Sequence, residues 1–199
     1  MTATAVIGDI HGDIERLEGM LADPRLVGRQ LVFLGDYVNR GLDSRRVVRR
    51  LLSLRSSGSQ QVICLMGNHD QALLDVLRGG SAVPLLKMGG ASTVLSWATD
   101  VVGDVGEALR ASVSKDEVDF LDGLEDSWSS GDYVAAHAIS PGSTERLRPE
   151  QILIVGHHIQ CDAVPRIVGQ CAFLDTGCGS IPHGRLSAML LPERTFVSH

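Results

Sequence analysis

Aromatic residues are scarce in this chain of 199 residues. Phe, Trp and Tyr together make up 4% of it while the apolar fraction is 44%, so a core must be built from Val, Leu, Ile and Ala. The four cysteines, Cys64, Cys161, Cys171 and Cys178, form no CxxC pair and no regular framework, which argues for reduced thiols over a disulfide scaffold. A basic tail or block of like charge is missing and the formal net charge is −6, which speaks against a nucleic-acid partner. No apolar run is long enough to span a bilayer, and the amino terminus lacks the basic region of a secretory leader. Without repeat, linker or low-complexity tract, residues 1–199 read as one α/β domain, cytoplasmic and with no membrane partner. Its oligomeric state is left open.

What is present is a repeated grammar in which an apolar strand ends in glycine and then a polar side chain. Leu31 to Leu34 read as a buried strand, Gly35 ends it, and Asp36 is delivered to the loop at its carboxyl end. A carboxylate can hold two cations, one per oxygen, and Arg40 four residues later could meet a phosphate drawn to them. Ala3 to Ile7 exit into Gly8-Asp9-Ile10-His11-Gly12, and Gln61 to Met66 exit into Gly67-Asn68-His69-Asp70. Tyr133 to Ala136 end in His137, and Ile152 to Val155 end in Gly156-His157-His158.

Helices are expected between the early strands. Asp13 can cap one through Ile14, Leu17, Met20 and Leu21, and Ser44 a second through Val47, Val48, Leu51 and Leu52. Arg45, Arg46, Arg49 and Arg50 then share a neighbouring face, either solvated or steering anions. A third helix carries Ala72, Leu73, Val76 and Leu77. Strand, loop and helix three times over is the pattern of a parallel sheet. Gly79 to Ser92 read as a loop over the site, and Ser114 to Glu117 as a capping box. After Trp128 strands follow one another, with a hairpin around Gly169-Gln170 and a closing strand at Leu186 to Leu191.

Any one of these exits could be an ordinary turn, and a lone histidine after a strand is more often a hydrogen-bonded core residue. Five in one chain argue for convergence, because carboxyl ends of neighbouring parallel strands lie side by side. Asp9, His11, Asp36, Asn68, His137 and His157 make a mixed oxygen and nitrogen set. It suits manganese first, with iron and zinc also matched, and excludes a cysteine-ligated zinc finger.

GDIHG, GDYVNRG, GNHD, His137-Ala138, Gly156-His157 and Asp175-Thr176-Gly177, in that order, resemble the calcineurin-like metallophosphoesterases. Within them the likeness is to small bacterial phosphoprotein phosphatases and symmetrical diadenosine tetraphosphatases. It implies a four-layer α/β/β/α sandwich with mixed sheets and two divalent metal ions. It also implies one metal held by Asp9, His11 and Asp36 and the other by Asp36, Asn68, His137 and His157, with direct attack by a metal-bridging hydroxide. His69 would protonate the leaving oxygen, Asn39 would hold His69, and Arg40 would clamp phosphate.

Three departures qualify the resemblance. The family usually has aspartate where Asn39 stands. An arginine often precedes GNHE, where this chain has Met66. The segment between His137 and His157 is short, leaving Arg146 or Arg148 as substitute phosphate ligands, with His158 and His183 as extra histidines nearby. Three readings follow: hydrolysis of phosphomonoesters, on phosphoserine or phosphothreonine proteins or small phosphoesters; symmetrical cleavage of dinucleoside tetraphosphates; or a metal-binding or phospho-ligand-binding protein that has lost catalysis.

Overall fold

A computed structural model describes residues 2–199. Two mixed sheets face each other. The first runs β11 (Thr195–Ser198), β10 (Arg185–Leu191), β1 (Thr4–Ile7), β2 (Gln30–Phe33) and β3 (Val62–Cys64), with β9 (Asp175–Thr176) paired to β10. Its β1, β2 and β3 are parallel, and β10 pairs antiparallel to β1. The second runs β4 (Ser127–Ser130), β5 (Tyr133–Ala136), β6 (Ile152–Val155), β8 (Cys171–Phe173) and β7 (Arg166–Val168), with the three central strands parallel.

Side-chain parity explains why β1, β2 and β6 are apolar at nearly every position. Ala5, Ile7, Leu31 and Phe33 point into the core beneath the helices, while Val6, Val32 and Leu34 point into the core between the sheets. A strand buried on both faces needs no alternation. In the second sheet Tyr133, Ala135, Ile152 and Ile154 face the first sheet, and Val134, Leu153 and Val155 face outward. The outward face is closed by the 138–151 segment, which runs in turns and lays Leu147 against it.

The helices are α1 (Ile14–Leu21), α2 (Ser44–Ser57), α3 (Asn68–Leu77), α4 (Val83–Lys87), α5 (Ala91–Trp97), α6 (Val105–Ser112) and α7 (Lys115–Asp122). Asp13 caps α1 by accepting the Arg16 N–H at 3.1 Å. Leu17 and Met20 are fully buried on its inner face, each contributing about 2 kcal/mol by burial. Ser114 and Glu117 form the expected capping box of α7.

Four sequence expectations are corrected by packing. Asp43, not Ser44, occupies the N-cap of α2, because the Ser44 hydroxyl is used on the Asn39 loop. The arginine face is not a free basic surface: Arg45 and Arg49 both bind the buried Glu117 carboxylate, Arg46 binds Asp43 and Arg50 binds Glu18. The Gly79 to Ser92 stretch is not all loop, since it contains α4 and the start of α5. The strand at Leu186 to Leu191 does not close the chain, because β11 turns back on it with Val197 opposite Ala188.

Candidate metal centre

The side chains singled out in the sequence leave the carboxyl ends of β1, β2, β3, β5 and β6. Asp36 lies at their middle: its Oδ2 is 3.6 Å from His11 Nε2, 3.8 Å from His69 Nε2 and 3.4 Å from His137 Nε2. Asp9 Oδ2 is 4.0 Å from His11 Nε2. Asn68 Oδ1 sits 3.0 Å from His137 Nε2 and 2.9 Å from His157 Nδ1. Asp9, His11, Asp36, His69 and His137 are buried, whereas Asn68, His157 and Arg40 are exposed, so the cluster has an enclosed floor and a wet rim.

The backbone is bent to make this convergence. His11, Asp36, Asn39, Arg40 and His157 all have left-handed φ, from 47° to 72°. Each such non-glycine residue costs about 1–3 kcal/mol, which the surrounding contacts must offset. Glycine is required where loops touch: a Cβ on Gly67 would lie 2.2 Å from Asp36 Oδ1, and one on Gly156 would lie 2.0 Å from Asp9 Oδ1.

The ring nitrogens are presented in a definite sense. The carbonyls of Val38 and Leu34 each accept from the Nδ1–H of His11 and His137, both at 3.0 Å, leaving both Nε2 atoms unprotonated with their lone pairs turned into the cluster. The His137 lone pair then faces the Asn68 carbonyl oxygen, another acceptor. Two acceptors in contact repel unless a cation lies between or beside them.

Burial, reinforced by the Arg40 guanidinium, holds His11 far below the usual imidazole range. Burial likewise brings His137 to about 4 and, with Arg40 beside it, His69 to about 4. Burial raises Asp36 to about 7 and pushes Asp9 well up, with Asp175 and then Asp36 adding repulsion at Asp9. Neutral imidazoles and crowded carboxylates form a donor set short of positive charge. Among the described residues, two groups of side chains meet the spacing for a metal ion: His11, Asp36 and His69, and Asp36, His137 and His157. Both share Asp36. The observed donors therefore fit divalent cations.

Arg40 reaches into the cluster. Its Nη1 donates to His11 Nε2 at 2.9 Å and to the Ser180 hydroxyl, and its backbone N–H donates to Gly89 at 3.1 Å. The Gly79 to Ser92 stretch thus does border the site, and Met88 Sδ lies 3.6 Å from Asn68 Nδ2. Asn39 Nδ2 is 2.8 Å from His69 Nδ1, while Asn39 Oδ1 accepts from the Thr93 hydroxyl at 2.8 Å.

Other candidates lie elsewhere. Arg148 turns to Asp132 and Glu150, and among the described residues neither Arg146 nor Arg148 hydrogen-bonds a member of the cluster. His183 meets the Cys161 carbonyl, but His158 stands beside the cluster, edge-on to His157 with ring centroids 5.2 Å apart and with Phe173 at 6.1 Å. Met66 packs against the helix-side core. Cys178 is fully buried, its thiol directed at the Ile10 carbonyl.

Two residues of the site were missed from sequence. Asp70 accepts the N–H groups of Asp36, Tyr37 and Gly67, tying the β2 exit to the start of α3. Its place in GNHD was the available signal. Asp175 is buried, accepts the Gly177 N–H at 3.0 Å and lies close enough to raise Asp9.

Known proteins resemble this chain in sequence and in fold. A stretch of 89 residues, 44% of this chain and 27% of the relative, is 39% identical to the symmetrical bis(5'-nucleosyl)-tetraphosphatase of Pseudomonas syringae pv. tomato. Over 101 residues the chain is 33% identical to the PP2A-like serine/threonine-protein phosphatase PPG1 of Saccharomyces cerevisiae, covering 50% of this chain and 27% of that one. The chain thus spans about a quarter of the length of these curated relatives. A crystal structure described provisionally as a diadenosine tetraphosphatase shares the fold, with a TM-score of 0.69 at 21% identity over 100% of this chain and 93% of that one. The calcineurin-like phosphoesterase family model matches residues 3–161, and the chain belongs to that family.

Proposed function

We propose that the chain is a hydrolase of phosphomonoesters, on phosphorylated proteins or small phosphoesters, working with two divalent metal ions, manganese first among them. The observation that carries this reading is Asp36. One buried carboxylate lies within 3.8 Å of imidazole nitrogens from three different strand exits, and both candidate metal groups include it. Bound there, the ions would supply positive charge and lower the pKa of water. Asp9 and His11 would hold one ion, Asn68, His137 and His157 the other, with Asp36 common to both.

The remaining side chains are arranged for phosphate. Arg40 stands at the exposed rim, positioned by Gly89 and Ser180, where a guanidinium can grip two phosphate oxygens at once. His69, buried and oriented by Asn39, points Nε2 toward Asp36, from where it would face the leaving oxygen. Manganese-dependent hydrolysis of p-nitrophenyl phosphate, with His69→Ala alongside, tests the reading. Turnover that needs metal and falls with the substitution supports it; equal background rates despite bound metal favour a protein that binds phospho-ligands without turning them over.

A second reading is favoured by the Pseudomonas relative, named as a symmetrical tetraphosphatase. Product analysis separates the two, since symmetrical cleavage of a dinucleoside tetraphosphate yields nucleoside diphosphates and monoester hydrolysis yields inorganic phosphate.

A further inference from the structure

Asn39 is packed between His69 and two hydroxyl groups, and those hydroxyls decide which end of its amide the histidine meets. The Asn39 backbone N–H is shared between Thr93 Oγ1 at 2.8 Å and Ser44 Oγ at 3.1 Å. The two hydroxyl oxygens are 3.0 Å apart, and Thr93 Oγ1 is 2.8 Å from Asn39 Oδ1. Asn39, Ser44 and Thr93 are all fully buried.

Counting hydrogens selects one orientation. With the amide carbonyl toward Thr93, Ser44 donates to Thr93, Thr93 donates to Asn39 Oδ1, and the amide nitrogen donates to His69 Nδ1. Every hydroxyl hydrogen has an acceptor. With the amide turned over, its nitrogen donates to Thr93, and Thr93 and Ser44 have only each other to receive two hydroxyl hydrogens. They share one oxygen–oxygen contact, so one hydrogen is stranded, and among the described residues no other acceptor bonds either hydroxyl.

A neutral imidazole carries one N–H. If Nδ1 accepts from Asn39, the hydrogen is on Nε2, facing Asp36 Oδ2 at 3.8 Å. Arg40 Nη2 approaches the same Nε2 at 3.4 Å, but both nitrogens of a neutral ring cannot accept, and the 2.8 Å contact with Asn39 is the shorter.

We propose that Thr93, backed by Ser44, is a positioning residue that holds the Asn39 amide nitrogen against His69 and so fixes His69 as its Nε2–H tautomer. Within the proposed hydrolysis of phosphomonoesters, the site is thereby suited to those whose leaving oxygen needs a hydrogen bond and not a full proton: small aryl phosphates over the alkyl phosphates of phosphoserine and phosphothreonine. In the reaction the oxygen of water bonds to phosphorus, the ester P–O bond breaks, and its electron pair departs with the leaving oxygen. The water's proton goes to solvent. A neutral Nε2–H can stabilise that oxygen, whereas surrendering the hydrogen would leave an imidazolate. This rests on the proposed hydrolysis, but the tautomer can be read without it.

The test is a long-range ¹⁵N–¹H correlation spectrum of the histidine-labelled, zinc-loaded protein, with His69→Gln assigning the ring. Wild type is expected to show a protonated Nε2 and a bare Nδ1 at His69, as is Thr93→Ser. Thr93→Val is expected to release the amide and populate the Nδ1–H form, and Asn39→Asp to protonate Nδ1. A wild-type ring protonated at Nδ1, or a tautomer unmoved by Thr93→Val, would overturn the assignment. If Thr93→Val does not fold, the wild-type spectrum decides alone. In parallel, the preference for p-nitrophenyl over ethyl phosphate in kcat/KM should narrow at least tenfold in Asn39→Asp, and an unchanged ratio counts against the proposal. Absence of turnover on every phosphate would defeat the hydrolase reading while leaving the tautomer measurable.

Discussion

Asp70 fastens Asp36. One of its carboxylate oxygens accepts the Asp36 N–H at 2.7 Å and the Gly67 N–H at 3.1 Å, and the other accepts the Tyr37 N–H at 2.9 Å. The carboxylate shared by both candidate metal groups thus depends on a neighbour that faces neither of them. Asp70→Asn would set an amide NH₂ against one backbone N–H, leaving buried donors opposed. A loss of about 2 kcal/mol in unfolding free energy is expected, together with about tenfold weaker metal binding. Urea unfolding and metal titration of the same variant measure both.

Asn39→Asp should raise turnover. A carboxylate accepts from both Thr93 and a protonated Nδ1, so His69 can carry a second hydrogen and give one to the leaving oxygen. General acids typically contribute about 10²–10⁴-fold, and a gain of about tenfold on alkyl phosphates is a modest share of that. Steady-state kcat for ethyl phosphate reads it; no gain, or a loss, means that another group serves as the acid.

Glu117 makes stability depend on acid. Burial alone would raise its carboxyl, but hydrogen bonds from Ser114, Arg49 and Trp97 outweigh this and bring it from an ordinary 4.5 to about 2. Because the folded state binds the proton more weakly than the unfolded chain, the stabilisation is complete above pH 4.5. It is lost as pH falls from there through about 2. Glu117→Gln is expected to lower stability by about 2 kcal/mol at neutral pH, given that its arginine partners are partly exposed. Unfolding curves of the two proteins should draw together below pH 4.5 and converge only as pH falls to about 2.

The strand exits were legible because three signals coincide in them: an apolar run, a glycine that ends it, and a metal-type side chain. Asp9, Asp36 and Asn68 could be placed from that grammar, since a parallel sheet brings its carboxyl ends together. Thr93 could not. It lies 54 residues from Asn39 on a short helix within a glycine-rich stretch, and only the packing of α5 against α2 brings its hydroxyl to the amide. The polarity at His69 is set by the same packing: the Asn39 carbonyl oxygen accepts from Thr93, which leaves the amide nitrogen toward His69. The arginines of α2 read as a free basic face because Glu117 is 68 to 72 residues away. β11 was hidden by its polar ends, with only Val197 fully buried along it.

The most direct test of the centre is the number of manganese ions bound per chain, measured by titration calorimetry and confirmed by elemental analysis, for wild type and Asp36→Asn. Two ions in the wild type, with both sites weakened by the single substitution, is the result expected of a carboxylate common to both. One ion or fewer in the wild type, or an unchanged count in Asp36→Asn, would contradict a two-metal centre organised around Asp36.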